Sequence, residues 1–190
     1  MKFHLIRHGD IATSDLPDLG HNDPSLSEIG RRQAAALAHE LDLISKRGPA
    51  IAAVYTSPMR PAAETAAVIA ETLATGEPPI AEALGTLTPE VLPASGGLDA
   101  IAAIQERAWS LIETLREQHD ERAVVALVSH ELTIRAVVCR ALGMPLTDLK
   151  RYELDPASLS TIEFRRAPNG DLRTILASLN EGCHLDAVEA

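Results

Sequence analysis

Cysteine is nearly absent from this chain: Cys139 and Cys183 are the only two among 190 residues. They form no CxxC pair, and neither has an arginine six residues on, so a disulfide scaffold and the spacing of cysteine-based phosphatases are both excluded. Cations are the minority charge, with 17 Lys and Arg against 27 Asp and Glu, a formal charge of −10. Such a surface repels phosphate backbones and anionic membranes, so neither nucleic acid nor a membrane is an expected partner. No apolar run approaches the length of a membrane span, and Met1 to Arg7 is too short for a signal peptide, which sets the expectation of a cytoplasmic protein. Glycine-rich loops of the Walker or dinucleotide pattern are missing, as are internal repeats, low-complexity tracts and linkers. What remains is an ordinary globular composition, 46% hydrophobic and 23% charged, expected to form a single domain over residues 1–190.

The apolar patterning alternates between strand and helix. Phe3 to Ile6 reads as a strand ending at Arg7-His8-Gly9-Asp10, followed by a polar loop to about Leu26 and a helix from Ser27 to Ile44. Ile51 to Tyr55 is a second strand, Thr56 to Pro61 a loop, and Ala62 to Leu73 a helix with Pro61 in its first turn. Gly76-Glu77-Pro78-Pro79 marks a turn, and the segment to Gly97 has no clean period. Ile101, Ile104, Ala108, Leu111, Ile112 and Leu115 trace one face of a helix over Leu98 to Gln118, which Trp109 is expected to flank. Ala123 to Val128 is a near-continuous apolar run of the kind buried in a parallel sheet, and Ser129-His130-Glu131 opens a helix to Leu142. Leu159 to Phe164 and Leu172 to Leu176 read as a hairpin turning at Asn169-Gly170. The fold class is therefore α/β, a three-layer α/β/α sandwich around a largely parallel sheet.

In such a sheet the loops leaving the carboxyl ends of the strands gather at one edge. Three of them carry Arg7 and His8, then Arg60, then His130. Two arginines and two histidines form the local cationic cluster that an acidic protein needs to hold an anion, and the guanidinium fork matches phosphate oxygens. A neutral histidine beside phosphorus is a nucleophile, and a protonated one stabilises charge on the equatorial oxygens. His4 reads as structural, His39 and His119 as solvent-facing, and His21 as loop filler.

These residues resemble the histidine phosphatase superfamily, the phosphoglycerate mutase-like proteins. Leu5-Ile6-Arg7-His8-Gly9-Asp10 is similar to its Arg-His-Gly signature, and Gly20 to Gly30 to the loop and helix start that follow. Val128-Ser129-His130 with Ile134-Arg135 resembles its second histidine motif, and Asn180 with His184-Leu185 a closing motif of some members. The resemblance implies His8 as nucleophile, Arg7 as phosphate clamp and His130 as the second histidine on the phosphate. It implies a metal-independent phosphomonoester hydrolase acting on a small phosphorylated metabolite, with no metal and no organic cofactor.

Three positions depart from the family pattern. Pro61 stands where the family usually has arginine, and Arg60, one residue earlier, is assigned the second clamp because a long side chain absorbs the offset. Glu131 stands where glycine is common and is expected to turn outward, since a carboxylate in the pocket repels phosphate. The pair His130-Glu131 is half of a zinc-protease motif, but Ile134 occupies the second histidine position and the metal reading fails. The family's general acid is a glutamate in the irregular segment, for which Glu90 is first by position and Glu82 second. A mutase is a second reading, disfavoured because Pro78 to Gly97 holds no basic residue for a second phosphate. A phosphate-binding or regulatory protein without turnover is the third.

Overall fold

The run from Val124 to Ser129 sorts its residues by parity: Val124, Ala126 and Val128 enter one hydrophobic cluster, and Val125 and Leu127 another. A strand apolar on both faces must be covered on both, and that requirement sets the architecture. The computed structural model describes residues 1–12, 23–87, 97–186 and 188. In chain order the elements are β1 (Lys2–Arg7), α1 (Glu28–Arg47), β2 (Ile51–Thr56), α2 (Arg60–Leu73), α3 (Leu98–Gln118), β3 (Val124–Ser129), α4 (Glu131–Leu142), β4 (Leu159–Arg166) and β5 (Leu172–Glu181). Leu37, Leu41, Ala66 and Ile69 of α1 and α2 close the first cluster. Ala108, Ile112, Val137 and Val138 of α3 and α4 close the second. The result is the expected three-layer α/β/α sandwich. Trp109 does not merely flank the α3 face; it is buried within the second cluster, its indole N–H donated to Glu113.

The five strands lie in the order β2-β3-β1-β4-β5. Parallel pairing is confined to β2-β3-β1, while β4 runs antiparallel to β1 and β5 to β4. The expectation of a largely parallel sheet is met in part: β4 alone runs against the other four strands, so its two pairings are antiparallel. A short hairpin can join only antiparallel strands, and Gly170, with φ 87°, supplies the left-handed residue of its turn. The reversal of β4 matters for the site. Ile6, near the end of β1, pairs with Leu159, the start of β4, and Leu159 pairs with Glu181, the end of β5. The segments before β4 and after β5 therefore reach the same edge as the carboxyl ends of the parallel strands.

The loop after β1 is clamped by two helices. Ser27 caps α1 through its hydroxyl, which accepts from the Gly30 amide and donates to Asp10 at 2.6 Å. Gln33 accepts from the Asp10 amide and Thr65 of α2 from the Gly9 amide. The two backbones approach so closely that a Cβ on Gly30 would lie 2.0 Å from the Asp10 carbonyl oxygen, and one on Gly9 would lie 2.6 Å from that of Gly30. Glycine is required at both places for contact, not for dihedral freedom. His4, on the inner part of β1, is buried against the Thr161 hydroxyl at 3.0 Å and is pushed down to about 4 by burial, as befits a structural histidine.

An alanine in a helix ordinarily gains up to about 1 kcal/mol over glycine. Gly30→Ala should instead lose on the order of 2 kcal/mol, because the backbone of residues 9 and 10 must move. Urea denaturation gives the sign directly, and a stabilised variant would contradict the close approach.

Candidate active site

Arg7 ends β1 and pairs in register with Ser129, the end of β3. Adjacent parallel strands ending together place the next residues, His8 and His130, side by side. Their ring centroids are 5.1 Å apart with planes inclined at 62°. His8 is held by its backbone on both sides, donating its amide to Ser129 O at 3.0 Å and accepting from the Ala157 amide at 3.0 Å. Its Nδ1 lies 2.7 Å from Gly9 O. A carbonyl only accepts, so Nδ1 carries the proton and Nε2 keeps its lone pair. Burial, with Arg7 nearby, holds His8 below the ordinary imidazole value. His8 is thus a neutral imidazole with a bare Nε2.

His130 precedes α4 and sits 2.8 Å from the buried Ser57 hydroxyl, just past the end of β2. Burial, then His8 and Arg7, push it down to about 3. The protonated second histidine expected from the sequence is therefore neutral here, and the reason is the cost of burying a charge, raised further by the Arg7 cation nearby.

Arg7 projects from the same edge. Its guanidinium donates to Leu154 O and lies 3.4 Å from the Glu131 carboxylate, whose other oxygen is 2.6 Å from Arg135. The Arg7 Nε is buried and, among the described residues, has no acceptor. The outward turn expected for Glu131 is not what is seen. It lies in the first turn of α4, partly exposed, with its two carboxylate oxygens paired to Arg7 and Arg135.

The segment before β4 backs this cluster, and the chain's tail holds that segment. Asn180 accepts from the Asp155 amide at 2.7 Å and donates to its carboxylate at 2.8 Å, and His184 Nε2 donates to Ala157 O at 2.9 Å. Ala157 and Asn180 both take left-handed backbone, with φ of 57° and 54°. The closing motif therefore holds the segment that carries the carbonyl receiving Arg7 and the amide that fixes His8.

Arg60 is not drawn to the histidine pair. It opens α2 with an exposed side chain, its Nε 2.8 Å from Glu64 one turn on, and its amide is accepted by Asp23. The charged side chains that bear on His8 are Arg7, Asp10 and Glu131, and Arg7 also bears on His130; Arg60 is not among them. Glu82 is exposed on a one-turn helix, Glu82–Leu84. That turn is tied to the pocket floor: Ser129 donates to Leu84 O, and Arg107 and Thr133 to Gly85 O. Glu90 and His21 lie outside the described residues.

Sequence reasoning passed over Ser57. Its signal was available, as a small polar residue in the loop after a strand whose partner loops carry the histidines. Ala157 gave no such signal, since its role rests on backbone groups. No group of side chains suited to holding a metal ion occurs among the described residues.

Any anion that binds Arg7 must compete with the Glu131 carboxylate. Glu131→Gln should tighten inorganic phosphate binding by about threefold to tenfold, the scale of one partly exposed charge. Calorimetric titration checks this, and unchanged or weaker binding would mean that Glu131 orders Arg7 more than it opposes phosphate.

The model of the histidine phosphatase superfamily (branch 1) matches residues 3–85 and 85–170. Phosphoserine phosphatase 1 of Hydrogenobacter thermophilus is 29% identical over 97% of this chain and 94% of its own. A phosphoserine phosphatase mutant from Entamoeba histolytica, solved with phosphoserine, superposes with a TM-score of 0.74 at 22% identity, covering 97% of this chain and 98% of that one. The mycobacterial glucosyl-3-phosphoglycerate phosphatase gives 0.73 at 21% identity, covering 96% and 98%. These two likenesses bear on the fold, whereas the family match spans both histidine motifs and most of the chain. His8 and His130 both fall within the matched residues, and the chain belongs to the histidine phosphatase superfamily, branch 1.

Proposed function

We propose that the protein hydrolyses small phosphomonoesters through a phosphohistidine on His8. The observation that carries this reading is the state of that ring: Nδ1 is committed to Gly9 O, so the lone pair of Nε2 is free beside Arg7 and His130. Arg7 Nε, buried without an acceptor among the described residues, is a donor that a phosphoryl oxygen would satisfy. His8 Nε2 forms the N–P bond as the ester P–O bond breaks, and the Gly9 carbonyl steadies the positive charge that develops on the ring. The leaving oxygen takes its proton from Glu90, or from Glu82 in the alternative assignment. The resulting carboxylate then accepts a proton from water as its oxygen attacks phosphorus, and the N–P electron pair returns to Nε2.

Arg60 is the proposed second clamp, and in this role it leaves Glu64 for the bound phosphate. The names of the relatives point to small phosphorylated carboxylic acids, and phosphoserine and 3-phosphoglycerate are the first substrates to try. Hydrolysis releases inorganic phosphate, whereas a mutase moves it within one substrate, so phosphate release separates the two readings.

Hydrolysis of p-nitrophenyl phosphate should proceed in excess EDTA and fall at least about 10³-fold in His8→Ala. A nitrophenolate needs no proton to leave, but an alkoxide does. Replacing the true general acid by glutamine should therefore slow phosphoserine hydrolysis about 10²-fold or more and p-nitrophenyl phosphate far less. Comparing Glu90→Gln with Glu82→Gln identifies which carboxyl it is. Equal losses on both substrates in both variants would assign the proton to another group.

A further inference from the structure

Ser57 is a residue that the chemistry above does not use. It follows β2, is wholly buried, and donates its amide to Val128 O at 3.0 Å, so the β2–β3 pairing continues into it. Its hydroxyl has two neighbours among the described residues. The Met59 amide donates to Oγ at 3.2 Å, and His130 Nε2 lies at 2.8 Å.

A hydroxyl has one proton to give and two lone pairs to receive with. The Met59 amide takes up one lone pair and offers no acceptor. Were His130 Nε2 also protonated, Oγ would receive two N–H groups and its own proton would be buried without an acceptor, at a cost of a lost hydrogen bond. The other arrangement satisfies every group: the Ser57 hydroxyl donates to a bare Nε2. From this geometry we infer that Ser57 is a positioning residue that fixes His130 in the tautomer protonated on Nδ1.

The second ring nitrogen agrees with this assignment. His130 stands at the N-cap of α4, where a side-chain acceptor would take a first-turn amide, yet its side chain caps nothing. A protonated Nδ1 cannot accept from an amide. It remains as a donor without a protein partner among the described residues, in a ring whose centre is 5.1 Å from that of His8.

The two histidines then carry the proton on the same ring atom and use it oppositely. His8 gives its Nδ1 proton to the Gly9 carbonyl and keeps Nε2 bare for attack. His130 has Nε2 occupied by the Ser57 proton and keeps Nδ1–H for a phosphoryl oxygen. One oxygen atom of the backbone and one of a side chain thereby make one imidazole a nucleophile and its neighbour a hydrogen-bond donor. The catalytic part of this inference rests on the phosphohistidine reading above; the tautomer itself does not.

The deciding experiment is nitrogen-15 NMR of histidine-labelled protein without ligand, with the His130 signals assigned by their absence in His130→Gln. A protonated Nδ1 and bare Nε2 are expected at neutral pH, and a protonated Nε2 would overturn the inference. In Ser57→Ala the His130 signals should move to a mixture of both tautomers, and Ser57→Thr should restore the single form. Persistence of the single form in Ser57→Ala would also overturn it. With phosphoserine or p-nitrophenyl phosphate, Ser57→Ala should lower kcat on the order of tenfold with little change in KM. That is less than the 10²–10³-fold cost of deleting a transition-state donor outright, because part of the population retains the correct tautomer. A wild type that hydrolyses neither ester but shows the expected tautomer would refute the phosphatase reading and leave the tautomer assignment standing.

Discussion

The site depends on one register. Arg7 of β1 lies opposite Ser129 of β3, and two parallel strands that end at the same level deliver His8 and His130 as neighbours. Everything else serves that juxtaposition or its charge. Placing two imidazoles and a guanidinium together in a buried corner would be prohibitive if all were charged, so burial keeps both rings neutral and leaves Arg7 as the fixed cation. Neutrality is also what a nucleophilic nitrogen requires, so the electrostatic constraint and the chemical one coincide.

The supports of His8 come from distant parts of the chain. The Gly9–Gly30 contact, Thr65 of α2 and the Asp10–Ser27 hydrogen bond fix the loop from one side. From the other, Asn180 and His184 hold the segment whose carbonyl receives Arg7 and whose amide reaches His8 O. The antiparallel strands make this second support possible. Because β4 begins and β5 ends at the pocket edge, the hairpin and the segments flanking it bring Ala157, Asn180 and His184 to the site they orient. A fully parallel sheet would bring only strand ends of one polarity there.

Much of this was legible in the sequence for identifiable reasons. The strand-helix alternation and the continuous apolar run of β3 announce a covered sheet, and polar residues at the ends of such strands announce a site. The antiparallel β4–β5 hairpin is legible in its Asn169-Gly170 turn, whereas the antiparallel pairing of β4 with β1 is not, because strand direction is not written in an apolar pattern. The conformation of Glu131 escaped because a carboxylate beside a phosphate site invites an argument from repulsion. The free protein instead has two arginines to neutralise, and the carboxylate meets both. Arg60 was assigned by sequence offset, whereas in the free protein the carboxylate one helical turn away holds its guanidinium.

The central claim is a covalent bond between phosphorus and His8 Nε2. Its direct test is to quench the enzyme in base during steady turnover of phosphoserine or p-nitrophenyl phosphate and map phosphorylation by mass spectrometry, since phosphohistidine survives base and is lost in acid. The account predicts a phosphoryl group on the peptide containing His8, absent from His8→Ala and absent without substrate. Sustained turnover with no phosphorylated histidine, or with phosphate on another residue, would contradict it.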